Sequence, residues 1–168
     1  MSTVRQDIVP VGLNAGNFKH RTDAASTDIN AGEPVNYGGA LTSGASASNY
    51  AFALTDGKPL IGTDQFAGIA SEDSDHTASV DGVIYVTRPI PQHTLLRGKA
   101  STTGNIDTDA ELLAILYDAV TFGLASGVYT IDENDAANAA GLMIVDGSVA
   151  KGTLDVVVDA RAMRKDVS

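Results

Sequence analysis

The chain has 168 residues, a net charge of −10, 43% hydrophobic and 19% charged residues, 17 glycines, and neither cysteine nor tryptophan. That length suits one domain with a single core, and the absence of thiols excludes disulfide staples and thiolate metal sites. The acidic balance opposes the phosphate contacts that nucleic-acid binding relies on, so nucleic acid is not expected as a partner.

No stretch approaches the roughly 18 apolar residues that span a bilayer. The start, Met1-Ser2-Thr3-Val4-Arg5-Gln6-Asp7, lacks the apolar run of a signal peptide. A soluble protein made in the cytosol, with no membrane partner, is therefore expected. Aromatic residues are only 5%, so the core falls to Val, Ile, Leu and Ala. Such a core stabilises a lone domain modestly and makes self-association useful.

Residues 1–28 are polar and nearly aperiodic, which predicts an extended N-terminal arm ahead of a β-rich domain over residues 29–168. Within the arm, Val9-Pro10-Val11-Gly12-Leu13 alternates apolar residues as an extended segment does. Pro10 has no amide donor, so it suits an edge strand or a peptide laid along another surface. From Ile29 onward short apolar runs alternate with turn residues, as in Glu33-Pro34-Val35 and Tyr50-Ala51-Phe52-Ala53-Leu54, which is strand spacing. Thr42 to Asn49 is a small-residue loop expected to lie exposed. Asp56-Gly57, Asp81-Gly82 and Asp146-Gly147 are hairpin-turn signals that favour antiparallel pairing.

Gly82-Val83-Ile84-Tyr85-Val86-Thr87-Arg88 is apolar on both faces and predicts a central strand covered on two sides. Thr153 to Ala160 alternates. It predicts a half-exposed strand with Leu154, Val156, Val158 and Ala160 inward, and Asp155, Val157 and Asp159 facing solvent or a partner. Thr108-Asp109-Ala110-Glu111 has the spacing of a capping box, and Leu112, Leu113 and Leu116 follow on one helical face, so a short helix ending near Tyr117 is expected. Ala119 to Phe122 and Val128 to Ile131 return to strand formers. The fold class is thus mainly β, a single antiparallel β-sandwich or barrel with one short helix.

Chemistry-bearing patterns are sparse. Glu72-Asp73-Ser74-Asp75-His76 gathers three carboxylates and an imidazole, but successive residues of an extended chain face opposite ways, so a solvated acidic turn is the simpler reading. Asp132-Glu133-Asn134-Asp135 opens like a calcium loop, yet Ala137 and Met143 occupy the positions where that loop needs Gly and Glu. Gly98-Lys99-Ala100-Ser101 lacks the upstream glycine of a phosphate loop, His93 standing in its place. His20, His76 and His93 sit in polar surroundings with no nucleophile elbow. No catalytic, metal or cofactor-binding residue is assigned, and an enzyme is not expected.

The phrases Ala31-Gly32-Glu33-Pro34-Val35, Gly68-Ile69-Ala70 and Asp81-Gly82-Val83 occur in that order within an acidic, cysteine-free chain rich in small residues. In this the sequence resembles the capsid decoration, or cement, proteins of tailed bacteriophages, over less than half of its length. The resemblance implies a β-sandwich or barrel with an N-terminal arm. It implies assembly, often as a homotrimer, on the outer surface of a maturing icosahedral virion head, with the major capsid protein as partner and the bacterial host cytoplasm as the place of synthesis. A shell that expands is held open by a clamp that binds only its expanded lattice. In this picture Val4, Ile8, Val9, Val11 and Leu13 of the arm pair as an added strand with a capsid edge or a neighbouring copy. The second class is a ligand- or glycan-binding host-attachment module, for which Tyr37, Tyr50 and Tyr85 offer stacking faces.

Overall fold

The computed structural model describes residues 7–22, 28–37, 51–53, 59, 61, 65–135 and 140–163. Two sheets carry these residues. The first has six strands in the order β1 (Val9–Val11), β7 (Leu95–Lys99), β11 (Thr153–Val158), β10 (Leu142–Ser148), β8 (Ala119–Ala125) and β9 (Val128–Asp132). The second has five, in the order β2 (Asn17–Thr22), β6 (Gly82–Thr87), β5 (Gln65–Ala70), β3 (Pro34–Tyr37) and β4 (Ala51–Ala53). Neighbouring strands within both sheets run antiparallel. The fold class expected from the turn-punctuated sequence is the one observed: mainly β, two sheets, one short α-helix.

Each sheet curls. In the first, β9 comes back to β7: Ala100 bridges to Ile131, and the Ser101 amide donates to the Ile131 carbonyl at 2.9 Å. In the second, the outer strands β2 and β4 lie against one another. Curling gives a sheet an inside, and two apolar clusters follow. Leu96, Val120, Phe122, Ile131, Leu142, Ile144 and the inward residues of β11 fill the first. Ile29, Val35, Ala67, Ala70, Ile84 and Val86 fill the second.

β5 serves both clusters. Phe66 and Ile69 join the first and Ala67 and Ala70 the second. Strict alternation would not put residues three apart on one face. A bulge does: the register against β3 slips between Val35↔Gly68 and Asn36↔Phe66, with Gly68 at φ +144. A Cβ on Gly68 would lie 2.3 Å from the Thr87 carbonyl oxygen, so only glycine fits there.

The described part of the expected arm is built into the domain, which corrects the division at residues 28 and 29. Val9–Val11 pairs with β7 as an edge strand, and residues Asn17–Thr22 pair with β6. Ile8 is 1% exposed inside the first cluster, its amide bonded to the Gly32 carbonyl. Its Cδ1 sits where a Cβ on Gly98 would come within 2.6 Å. The physical reason is the curl: β9 reaches only the far end of β7, and the open stretch of β7 is satisfied by the apolar segment Ile8 to Val11.

Two strands exchange their expected environments. β11 is buried on both faces, with Asp155 at 3% and Val157 at 5% exposure, because it lies third in a six-stranded curled sheet. Asp155 is neutralised there by Arg97 on β7, which donates from Nε at 2.7 Å and from Nη2 at 2.6 Å. Asp159 is half-buried and paired with Arg161 at 2.7 Å. β6 is central in its sheet, yet Val83, Tyr85 and Thr87 form a half-exposed outer face.

The helix α1 (Asp109–Ala114) begins at Thr108 with the expected reciprocal capping box: the Thr108 hydroxyl accepts from the Glu111 amide, and the Glu111 carboxylate accepts from the Thr108 amide. Leu112 and Leu116 pack on the first cluster, whereas Leu113 faces solvent. The two described Asp-Gly pairs do not make the hairpin turns expected of them. Gly82 opens β6 against the His76 backbone, Gly147 lies within β10 beneath Leu112, and Asp56-Gly57 and the Thr42–Asn49 loop lie outside the described residues. The β8–β9 turn is made by Ser126 at φ +51 and Gly127 at φ +75.

Replacing Gly68 by Ala strains the bulge and drives a methyl into the Thr87 carbonyl. The expected loss is about 2–4 kcal/mol of unfolding free energy. Chemical denaturation should show a lowered midpoint, and an unchanged midpoint would refute the bulge's role.

Candidate interaction surface

Of the five residues expected to contact a capsid or neighbour, the four described do not form one surface. Val4 lies outside the described residues, Ile8 is in the core, Val9 and Val11 are half-buried in β1, and Leu13 alone is largely exposed, at 69%. Pro10 sits mid-strand on the edge, as its missing donor led one to expect. For the same reason it denies an incoming strand a hydrogen bond there.

A cleft of about 340 Å3 opens between β1 and the second sheet, lined by Val9, Pro10, Asn14, Asn17, Ser71 and Thr87 among others. Its polar side chains bond to one another: Ser71 Oγ to Thr87 Oγ1 at 2.8 Å, and Thr87 Oγ1 to Asn17 Oδ1 at 2.7 Å. No titratable side chain lines it, so general acid–base chemistry has no residue to act through there.

The acidic turn at residues 72–76 holds backbone. Asp73 accepts from the Ala31 amide at 2.9 Å, Ser74 Oγ from the Ile29 amide at 3.0 Å, and Asp75 from the Val83 amide at 2.5 Å. His76 Nε2 lies 3.5 Å from Asp28. Asp73, Ser74 and His76 thus reach the segment from Asp28 to Ala31, and Asp75 reaches β6. In the 132–135 segment, Glu133 is a buried clamp whose carboxylate accepts from the Ser101 and Thr102 amides, Ser101 Oγ, Asn105 Nδ2 and Asn134 Nδ2. It ties the chain after β7 to the end of β9. Nothing in its sequence neighbourhood distinguishes it from its acidic neighbours. Among the described residues no group of three or more His, Asp or Glu is arranged to hold a metal ion, and no helix is long and apolar enough to cross a membrane.

Of the tyrosines with stacking potential, Tyr37 is engaged with His20. Its hydroxyl lies 3.1 Å from Nε2, with ring centroids 5.0 Å apart edge to face. Tyr85 is 40% exposed on the outer face of β6, and Tyr50 lies outside the described residues. Burial first, and the Arg88 charge second, push the His20 imidazole below its ordinary pKa, while burial raises that of Tyr37.

The charge of the molecule is unevenly spread. Between Lys99 and Lys151 there is no Lys, Arg or His and there are eight carboxylates, so this stretch supplies −8 of the net −10. Its described residues include α1 and strands β8, β9 and β10. At the start of α1 two carboxylates touch: a hydrogen bond from Asp107 to Glu111, then the Glu111 charge, raises the Asp107 carboxyl, while the hydrogen bonds from Asp107 and then Thr108 lower that of Glu111. No family model matches the chain, and no curated protein matches it.

Because folding depresses the His20 pKa, the unfolded chain takes up a proton more readily near pH 6.5 than the folded one does. Stability from this site is full above that pH and is lost as the pH falls through the folded value. Thermal melts between pH 7.5 and 5.5 should fall in Tm for the native chain and fall less for His20→Gln; equal slopes would refute the assignment.

Proposed function

We propose that the protein is a non-enzymatic capsid decoration protein that binds the outer surface of an icosahedral phage head and stabilises its expanded shell. The observation that carries this reading is where the three phrases of the resemblance meet. Far apart in sequence, they form one knot in the second sheet. The Gly32 amide donates to the Ala70 carbonyl and the Ala70 amide to the Glu33 carbonyl, both at 2.8 Å. Pro34 pairs with Ile69, and Ala70 with Val86. Asp73 and Asp75 bind the amides of Ala31 and Val83, and a Cβ on Gly82 would strike the His76 backbone nitrogen at 2.3 Å. A likeness made of short phrases carries more weight when those phrases build a single structural unit than when they are scattered.

The acidic charge supports the side of the shell. On the outside it keeps copies soluble and complements basic rims of capsid subunits, whereas packaged DNA repels it. Binding the expanded lattice and not the compact one shifts the shell toward expansion by the difference in affinity, and repeated contacts between copies and the major capsid protein add by avidity. The segment Ile8 to Val11 is committed to the protein's own core and β7, which favours a clamp elsewhere on the surface.

Sedimentation with purified shells tests the reading. The protein is expected to pellet with expanded heads and to stay in solution with compact ones, and to raise the temperature at which expanded heads come apart. Equal binding to both forms, or to neither, would contradict it.

A further inference from the structure

Among the described residues, the most exposed large apolar side chains besides Leu13 lie four residues apart, Leu113 on α1 at 68% and Tyr117 on the turn that follows it at 70%. Exposed Asp109 lies one helical turn before Leu113, and exposed Asp118 follows Tyr117, with Asp107 and Glu111 at the helix start. The turn is fixed to the sheet: the Tyr117 amide donates to the Ile144 carbonyl at 2.8 Å, and the Ile144 amide to the Asp118 carbonyl at 3.1 Å. Tyr117 is held at φ +72, a conformation that glycine adopts freely and an aromatic residue only under strain. The fold thus holds a strained tyrosine outward on a rigid support, where its ring makes little use of the protein's own core.

We propose that Leu113 and Tyr117 are the anchor by which this protein docks onto a basic protein surface carrying an apolar socket, and, resting on the decoration reading, that this surface belongs to the expanded shell. An exposed aromatic and an exposed aliphatic side chain four residues apart on one ordered segment have the composition of an interface centre. A rim of carboxylates steers such a centre toward positive charge. The same rim repels phosphate, so neither nucleic acid nor an anionic membrane fits. A second copy fits poorly, since each chain carries −10. Because the turn is already ordered, docking spends little on fixing it.

The test is co-sedimentation of the full chain with expanded shells at graded salt, for the native protein and for Leu113→Ser, Tyr117→Gly and the control Val80→Ser, whose residue is 61% exposed on another turn. Tyr117→Gly removes the ring and relieves the backbone. Its Tm should hold or rise while its apparent affinity falls at least about tenfold. Leu113→Ser should lose a similar factor at unchanged Tm, Val80→Ser should bind as the native chain does, and native binding should weaken with salt. Native-like binding by both anchor variants would overturn the docking face and leave the decoration reading standing; native protein that fails to bind shells would overturn both. A Tm lowered by Tyr117→Gly would make the tyrosine structural and overturn its role as an anchor. Light scattering that shows the variants changing the oligomeric state, with shell binding intact, would assign the pair to contacts between copies and overturn the proposal.

Discussion

The structure depends on β5 having two buried faces. Phe66 and Ile69 point into the six-stranded sheet, with Phe66 meeting Phe122 at a centroid distance of 6.1 Å, while Ala67 and Ala70 point into the curl of its own sheet. The sizes are matched to the faces. The larger cluster takes an aromatic and an isoleucine, and the smaller takes two methyl groups, which lets Ile29, Val35 and Ile84 close over them. Gly68 makes the arrangement possible by inserting a bulge where the Thr87 carbonyl leaves no room for a side chain. The two sheets therefore share one strand's burial, and the second is too small to be a domain with a core of its own.

From that strand outward the remaining constraints are local. The Ala31–Val35 segment binds both Ala70 and the acidic turn, the acidic turn binds β6, and β6 carries the edge strand β2. On the other side, Ile8 closes the first cluster at Gly98, and Glu133 fastens β9 to the chain leaving β7. A row of paired residues crosses the outer face of the first sheet, Val9 to Arg97 to Asp155 to Asp146, in which one guanidinium faces two carboxylates.

The sequence made the strand spacing, the capping box at Thr108 and the edge position of Pro10 legible, because each rests on chemistry within a few residues. What it hid was set by partners distant in the chain. The bulge at Gly68 breaks the alternation used to assign faces, and Phe66-Ala67-Gly68-Ile69-Ala70 reads the same with or without it. Asp155 looked exposed because an aspartate on an alternating strand belongs outside unless an arginine meets it, and Arg97 lies 58 residues earlier. Ile8 looked like part of an arm because nothing near it shows that β7 has an open edge to fill. Of the contact residues expected in the arm, Ile8, Val9 and Val11 were thus absorbed into the fold. The exposure of Leu113 was masked by its place in a run of leucines, where it was grouped with its partly buried neighbours Leu112 and Leu116.

Strands tied by side chain to backbone amide, and acidity concentrated between Lys99 and Lys151, are the features on which the proposed decoration role rests. Electron microscopy of the particle that carries this protein tests that claim most directly. The account predicts density for a two-sheet domain repeated at equivalent lattice positions on the outer face of the expanded head. Density confined to the tail or its fibres, or absent from the particle, would contradict it.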